Sequence, residues 1–270
     1  MTAIEFTRHV AAMLIATSAS AAHAQAFDAV RIFGPVDANG KGTIGAAVVN
    51  RPEFPGSKQR KTMLLPVVDY RWQNGFFAGT TNGIGYLFSS APDMQYGLRV
   101  TADFGRKENK SAALKGMGDI EASAEFGGFF NYFVSPQISL TSSLRYGAGS
   151  GAGSDHKGMV IDLGANYAVQ LAPEWRGAVG VATTFADSNT MQSRFGVTPA
   201  QALSSGYAPY SPGAGLRDAR ISASASYFLN RQVTITGAVS ASALLGDAKN
   251  SPVVRSNSAV TGVLAVSYEF

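Results

Sequence analysis

The sequence predicts an all-β protein, a single antiparallel transmembrane β-barrel of about 12 strands with short periplasmic turns and longer extracellular loops. Three observations carry that expectation. First, 46% of the residues are hydrophobic and only 15% are charged, whereas a soluble domain carries about a quarter charged residues. Second, apolar and polar residues alternate with period two through runs of about 10–13 residues. Ordinary strands are about 5–6 residues long, and a tilted strand needs roughly 9–11 to cross a bilayer. Third, no window after residue 24 sustains the apolar run of a spanning helix. The long charge-free stretches, 126–144 and 195–216, are broken by Gly, Pro, Ser and Asn. A chain of this kind crosses a membrane as strands or not at all.

The first element is a segment expected to be removed. Arg8 and His9 precede an apolar run over 10–22, and Ala22-His23-Ala24 supplies the small-x-small site of a secretory signal peptide. The expected division is a cleaved signal over 1–24 and a barrel domain over 25–270. Strands follow near 41–50, 62–73, 75–88, 95–105, 118–133, 136–148, 158–171, 174–187, 217–229, 231–245 and 258–270. In 96–104, Tyr96, Leu98, Val100, Ala102 and Phe104 alternate with Gly97, Arg99, Thr101 and Asp103. In 219–229, Ala219, Ile221, Ala223, Ala225, Tyr227 and Leu229 alternate with Arg220, Ser222, Ser224 and Ser226. Successive side chains of a strand point to opposite faces, so each run has one greasy and one polar side. Bacterial single-chain barrels have even strand numbers. The segment 76–88 therefore reads as two short strands turning at Thr81-Asn82-Gly83, since Asn-Gly is a tight-turn dipeptide. The alternative twelfth strand is 27–33.

The polar faces are built from Ser, Thr, Gly, Ala and Gln with occasional charges, as suits a barrel lumen. On this face assignment the inward charges are Arg71, Arg99, Arg145, Arg176 and Arg220 against Asp69, Asp103, Glu121, Glu125 and Asp162. Opposite charges in a low-dielectric lumen pair, because leaving either one alone is costly. The expectation is a narrow, ion-paired, poorly conducting barrel; segregated charges flanking a constriction would instead make a solute channel. Connections at 135–136, 171–174 and 230–231 are short, and those at 105–118, 149–158, 187–216 and 246–257 are long. The chain ends with Leu264, Val266, Tyr268 and Phe270 on one face. Tyr268 and the terminal Phe270 resemble the signal read by the barrel-assembly machinery.

Several motifs together resemble the MipA/OmpV family of outer-membrane proteins. Leu65-Pro66-Val67-Val68-Asp69-Tyr70 with Phe76-Phe77 looks like the family's LPxxxY…FF region. Gly105-Arg106-Lys107, then Leu114-Lys115-Gly116-Met117-Gly118-Asp119-Ile120, is similar to its GR…LxGLGDI, with Met117 in place of a Leu. Phe195-Gly196-Val197-Thr198-Pro199-Ala200-Gln201-Ala202 followed by Ser205-Gly206 and Tyr210 is close to YFGVTxxQA…SG…Y, with Arg194 where the family has Tyr. Gly246-Asp247-Ala248-Lys249-Asn250-Ser251-Pro252 is like its GDAxxSP loop. Residues 51–57 match the family's first loop only loosely. The resemblance runs from about residue 42 to the C-terminus. It implies a non-enzymatic barrel in the outer membrane that scaffolds murein (peptidoglycan) synthesising and cleaving enzymes, a murein transglycosylase and a murein synthase. Porin-like channels and adhesins also fall within it.

The remaining chemistry is mostly exclusion. Zero Cys removes disulfides, thiolate metal sites and thiol catalysis. Of three His, only His156 lies beyond the signal, in a Gly-rich loop with Ser150, Ser154 and Asp155. Catalytic groups need rigid support, so this loop reads as solvated and the chain as no enzyme, with no metal and no cofactor. A net charge of +4 and a pI near 9.3 come without a basic-aromatic cluster, which argues against nucleic acid. Arg51, Lys58, Arg60 and Lys61, with Arg106, Lys107, Lys110 and Lys115, stand in or beside connections; they read as solvated loop charge or, where those loops face outward, as partners for lipopolysaccharide phosphates, while membrane lipid surrounds the barrel.

Overall fold

In the computed structural model the described residues are 40–89, 91, 93–148 and 157–270. The signal segment, the alternative strand 27–33 and His156 lie outside them. Twelve strands form one closed barrel: β1 Lys41–Pro52, β2 Arg60–Arg71, β3 Phe76–Gly79, β4 Gly83–Leu87, β5 Met94–Asp103, β6 Ser123–Phe133, β7 Ile138–Ala148, β8 Gly158–Ala172, β9 Trp175–Ala186, β10 Gly215–Phe228, β11 Val233–Leu244 and β12 Ser258–Glu269. Each pairs antiparallel with its sequence neighbours, and β1 closes on β12 from Thr43↔Glu269 to Asn50↔Gly262. At the seam Gly42 N donates to Phe270 O at 2.8 Å, and Phe270 N donates back to Gly42 O at 2.9 Å. Closure leaves no strand edge around the seam, which is what a strand in lipid requires.

Alternation sorts the faces. Leu64 is 73% exposed on the outside of β2, while its neighbour Leu65 is 1% exposed inside. The outer surface carries Ile44, Val48, Leu98, Leu140, Val179, Val181, Ile221 and Leu264 in the open, a lipid-facing belt. At the end holding the short turns and the C-terminal Phe270, aromatic rings ring that belt. Tyr70 meets Trp72 at 4.8 Å, Phe76 meets Tyr86 at 4.8 Å and Trp175 meets Tyr227 at 5.0 Å. Such girdles mark a membrane interface, and this one coincides with the periplasmic end.

The hairpin β3–β4 is much shorter than its neighbours. It turns at Gly83, whose φ is +78°, and is anchored by Asp69, which accepts from Thr81 N at 3.1 Å and Thr81 Oγ1 at 2.7 Å. Val68 N donates to Thr80 Oγ1 at 3.0 Å and Thr80 N donates to Val68 O at 2.8 Å. Two residues further up β2, the same side of the strand carries Pro66, beyond the reach of the hairpin. A missing N–H is tolerated at an unpaired strand edge, so Pro66 stands where β2 has run out of partner.

The long loops fold over the outer mouth. They include two short 3₁₀ turns, Glu108–Lys110 and Ala112–Leu114, and three helices, α1 Ser188–Phe195, α2 Pro199–Ser205 and α3 Gly246–Lys249. Phe54, Leu114, Met117, Val197 and Val253 form one buried cluster, and Met191, Phe195 and Ala248 with Ala186 form another. The loops thus carry a hydrophobic core of their own.

The inward face is not uniformly polar. Ala47 and Val49, Leu65, and Val263 and Ala265 make an apolar wall on β1, β2 and β12, joined by Met63, Val67 and Ala238. This departs from the expected Ser/Thr/Gly/Ala/Gln lining. The run Met63-Leu64-Leu65 and Val67-Val68 is apolar at consecutive positions, the pattern of a strand covered on both faces.

Candidate functional site

The lumen and its loop cap hold the charges that the sequence singles out. Glu125 on β6, Arg145 on β7, Asp162 on β8 and Arg220 on β10 occupy inward positions of nearby strands, so their side chains reach one another around the wall. Arg145 Nη1 meets Glu125 Oε2 at 2.9 Å and its Nη2 meets Asp162 Oδ2 at 2.7 Å. Arg220 Nη2 lies 3.3 Å from Asp162 Oδ1. Thr184 on β9 donates to Asp162 Oδ1 at 2.6 Å, and Thr101 on β5 donates to Glu125 Oε2 at 3.2 Å. Asp162 is 8% exposed, and its oxygens are shared among two guanidiniums and the hydroxyls of Thr184 and Ser143. Such satisfaction is what makes a buried charge tolerable.

The network continues through residues that sequence reading did not single out. Arg217 Nε pairs with Asp218 Oδ2 at 2.7 Å, and Arg220 Nε lies 3.5 Å from Asp218 Oδ1. Both Arg217 and Asp218 are buried although they are sequence neighbours. The cause is a bulge between Leu216 and Asp218 in the β10–β9 register, which breaks the period-two rule. No alternation pattern could have shown it.

The other expected lumen charges are placed as follows. Arg99 is inward and buried, with its guanidinium 5.8 Å from the Phe129 ring. Asp69 holds the β3–β4 turn. Asp103, at the outer end of β5, is clamped by Arg194 of α1, whose Nη2 reaches both carboxylate oxygens. Arg71 stands at the periplasmic end of β2, and Arg176 is exposed at the periplasmic end of β9, away from the network. Glu121 departs from the expectation. β6 begins at Ser123, so Glu121 stays in the preceding loop, exposed, and accepts from Lys107 Nζ at 2.9 Å. The bridge Arg106↔Ile120 closes that loop before the strand starts. Tyr268 and Phe270 both face outward at the periplasmic rim, and Tyr268 OH accepts from Gln232 Nε2 at 2.9 Å.

The cap has its own electrostatics. Lys107 also meets Asp119 at 3.0 Å. Hydrogen bonds to Glu121 and Asp119 hold the Lys107 ammonium above its ordinary pKa. Asp119 lies below the usual carboxylate value, chiefly because it accepts from the backbone N–H of Glu108, and then from Lys107. Burial pushes the Arg106 guanidinium down to about 10; its Nη1 donates to Arg194 O at 3.1 Å. Burial, with Asp247 nearby, raises the Tyr210 hydroxyl. These contacts knit the β5–β6 loop to the β9–β10 loop over the mouth.

Residues 44–270 match the family described as MltA-interacting protein MipA. The chain belongs to the MipA family. No curated protein matches it. Among solved structures it is similar to the NanC porin, with a TM-score of 0.48 and 11% identity over 83% of this chain and 98% of that one. It is similar also to the COG4313 outer membrane channel from Pseudomonas putida F1, with a TM-score of 0.46 and 10% identity over 88% and 97%. A third is the KdgM porin, with a TM-score of 0.42 and 9% identity over 84% and 99%. Within this MipA-family chain the motif around Val197 now has a physical meaning. Val197 is buried in the cap and bridges to Tyr210, while Thr198, Pro199 and Gln201 start α2.

Proposed function

We propose that this MipA-family barrel is a non-enzymatic scaffold of the outer membrane, whose periplasmic end holds a murein transglycosylase and a murein synthase beside the wall they remodel. The observation that carries the reading is the combination of an ion-paired lumen with a loop cap that has a hydrophobic core. A barrel built to pass solutes needs a wet path through it; this one invests its lumen charges in one another. The lipid-facing belt and the aromatic rim support the outer-membrane location, and the family description supports the transglycosylase. The outward aromatic terminus at Tyr268 and Phe270 suits delivery by the barrel-assembly machinery. Lys58, Lys110 and Lys115 are exposed in the outer loops, where lipopolysaccharide phosphates would meet them, while Lys107 is already engaged.

The test is direct binding between the refolded barrel and purified MltA in detergent. Saturable binding that is lost when the periplasmic turn at Asn230-Arg231 is replaced by Gly-Ser supports the scaffold; no binding at any concentration refutes it. Planar-bilayer conductance addresses the second reading, a small-solute channel. That reading is favoured by one observation, an inner cavity bordered by Asn82, Asn131, Asp162 and Arg220. Wild-type barrel is expected to be silent, and reproducible channel steps would favour transport.

A further inference from the structure

Leu65 on β2, Ala47 on β1 and Ala265 on β12 stand side by side on the inner wall, because Ala47 pairs with both of the others. Two residues nearer the outer mouth, Met63, Val49 and Val263 repeat the arrangement. Leu65 and Ala47 are only 1% exposed, and Val49 not at all. Side chains on one face of a strand stand roughly perpendicular to the sheet, so wall neighbours screen their flanks and leave their ends open. The partly buried apolar residues against this wall, Met63, Val67 and Ala238, come from the same side of the barrel. Side chains fill the interior of a barrel of about eight strands; a larger ring leaves room, and alanines fill it least. A wall of this kind is covered by something that stands in the lumen.

The chain itself supplies that cover at the right place. β1 starts at the periplasmic mouth, and the residue before it, Gly40, has φ +87°. A Cβ there would stand 2.7 Å from Tyr70 OH and 2.9 Å from Arg71 O, so only glycine fits against the end of β2. Asn39-Gly40 is a turn dipeptide, and the positive φ takes the incoming chain off the line of β1. Both edges of β1 are occupied, by β2 and β12, and its outer face meets lipid. A chain that turns back along β1 therefore runs inside the barrel.

Residues 27–38 lie outside the described residues, and their composition suits that path. Phe27, Val30, Ile32, Phe33 and Val36 are apolar, while Asp28, Arg31 and Asp37 carry charges that a lipid-facing path would not accept. A stretch of this length, fully extended, spans at most roughly 40 Å, more than the apolar band of about 25 Å. Phe33 precedes Gly40 by seven residues and Ala47 follows it by seven. On the return path Phe33 thus comes level with the row of Leu65, Ala47 and Ala265. Its tether to β1 keeps the segment at high effective concentration beside the wall.

We infer that residues 27–38 enter the lumen from the periplasmic side and lie as a tethered plug on this wall, their apolar side chains covering Leu65, Ala47 and Ala265. The inference does not rest on the scaffold reading, since a segment inside the lumen neither requires nor excludes a partner below the barrel.

The test uses the absence of cysteine from the chain, so that introduced pairs report without background. Ile32→Cys with Ala265→Cys is refolded in detergent, folding is checked by the heat-dependent shift in gel mobility, and a short bis-maleimide is added. Ile32→Cys with Leu264→Cys, on the outer face, is the control. The expected result is a cross-link within one chain in the first pair, forming at least about tenfold faster than in the control. Phe33→Asp added to the first pair should slow it by about tenfold or more, because setting a carboxylate on an apolar wall costs over a decade in equilibrium constant. If Ala265→Cys does not fold, Val67→Cys takes its place. Equal rates in the two pairs, no cross-link in either, or no effect of Phe33→Asp would each overturn the inference. A cross-link formed only between two chains would overturn it too, assigning the wall to a segment of another barrel.

Discussion

Arg145 shows what a single side chain does in this lumen. It holds Glu125 and Asp162 at once, and replacing it by Ala would leave two buried carboxylates without their shared cation. Breaking such a pair on one side costs about 3–5 kcal/mol. Arg145→Ala should therefore lower the urea midpoint of the refolded barrel, whereas Arg176→Ala, at the exposed periplasmic end, should leave it unchanged. An Arg145→Ala barrel with the wild-type midpoint would mean that water already solvates the network. In the cap, the pH dependence follows from Asp119. Its folded pKa is depressed, so its contribution is present above the unfolded carboxylate value and is lost as pH falls through the folded one. Lys107 works in the opposite sense, its contribution being full below its ordinary value and lost as pH rises through the raised one. Protease nicking between residues 107 and 120 should accelerate in strong acid and strong alkali, with the barrel intact. Uniform nicking across pH would remove these bonds from the account of cap order.

Among the elements, α2 is the clearest case of local sequence writing local structure. Thr198 accepts from Gln201 N at 3.2 Å, and Gln201 Oε1 accepts from Thr198 N at 2.9 Å; Pro199 occupies the first turn and Gly206 ends the helix with φ +78°. This capping box is readable as Thr-Pro-x-Gln. Its purpose is not readable, because Gln201 also donates to Met117 O at 2.6 Å from a loop 84 residues away. Thr198→Ala should destabilise the cap by about 1 kcal/mol, seen as faster hydrogen exchange over α2 and over 112–118 together. Exchange confined to α2 would show that the two loops are not coupled. The strands were legible because period two is a local signal, whereas the sequence reading of 187–216 as one long connection did not include this helix. The break of 76–88 into two strands at Thr81-Asn82-Gly83 appears as expected. Glu121 and the Arg217-Asp218 bulge escaped because strand starts and bulges are set by pairing partners.

For the whole molecule the decisive event is closure of β1 on β12. Gly45 shows how tight it is: a Cβ built there would stand 2.1 Å from Val266 O, a backbone atom that no rotamer change can move. Gly45→Val should prevent closure and abolish the heat-dependent mobility shift, while Gly237→Val, where a Cβ meets nothing within 4 Å, should retain it. Loss of the shift in both would point to general strand sensitivity instead.

By itself the sequence determined the barrel, its strand number, its lipid-facing residues and its family, because alternation, turn dipeptides and ordered motifs are carried by neighbouring residues. It also nominated the lumen charges. Only the tertiary structure decided which of them meet, that β1, β2 and β12 turn an apolar wall inward, and that the outer loops form a packed cap. The reason is geometric: a strand's pattern states which side a residue faces, whereas the residue it meets there depends on register, bulges and closure across the whole ring.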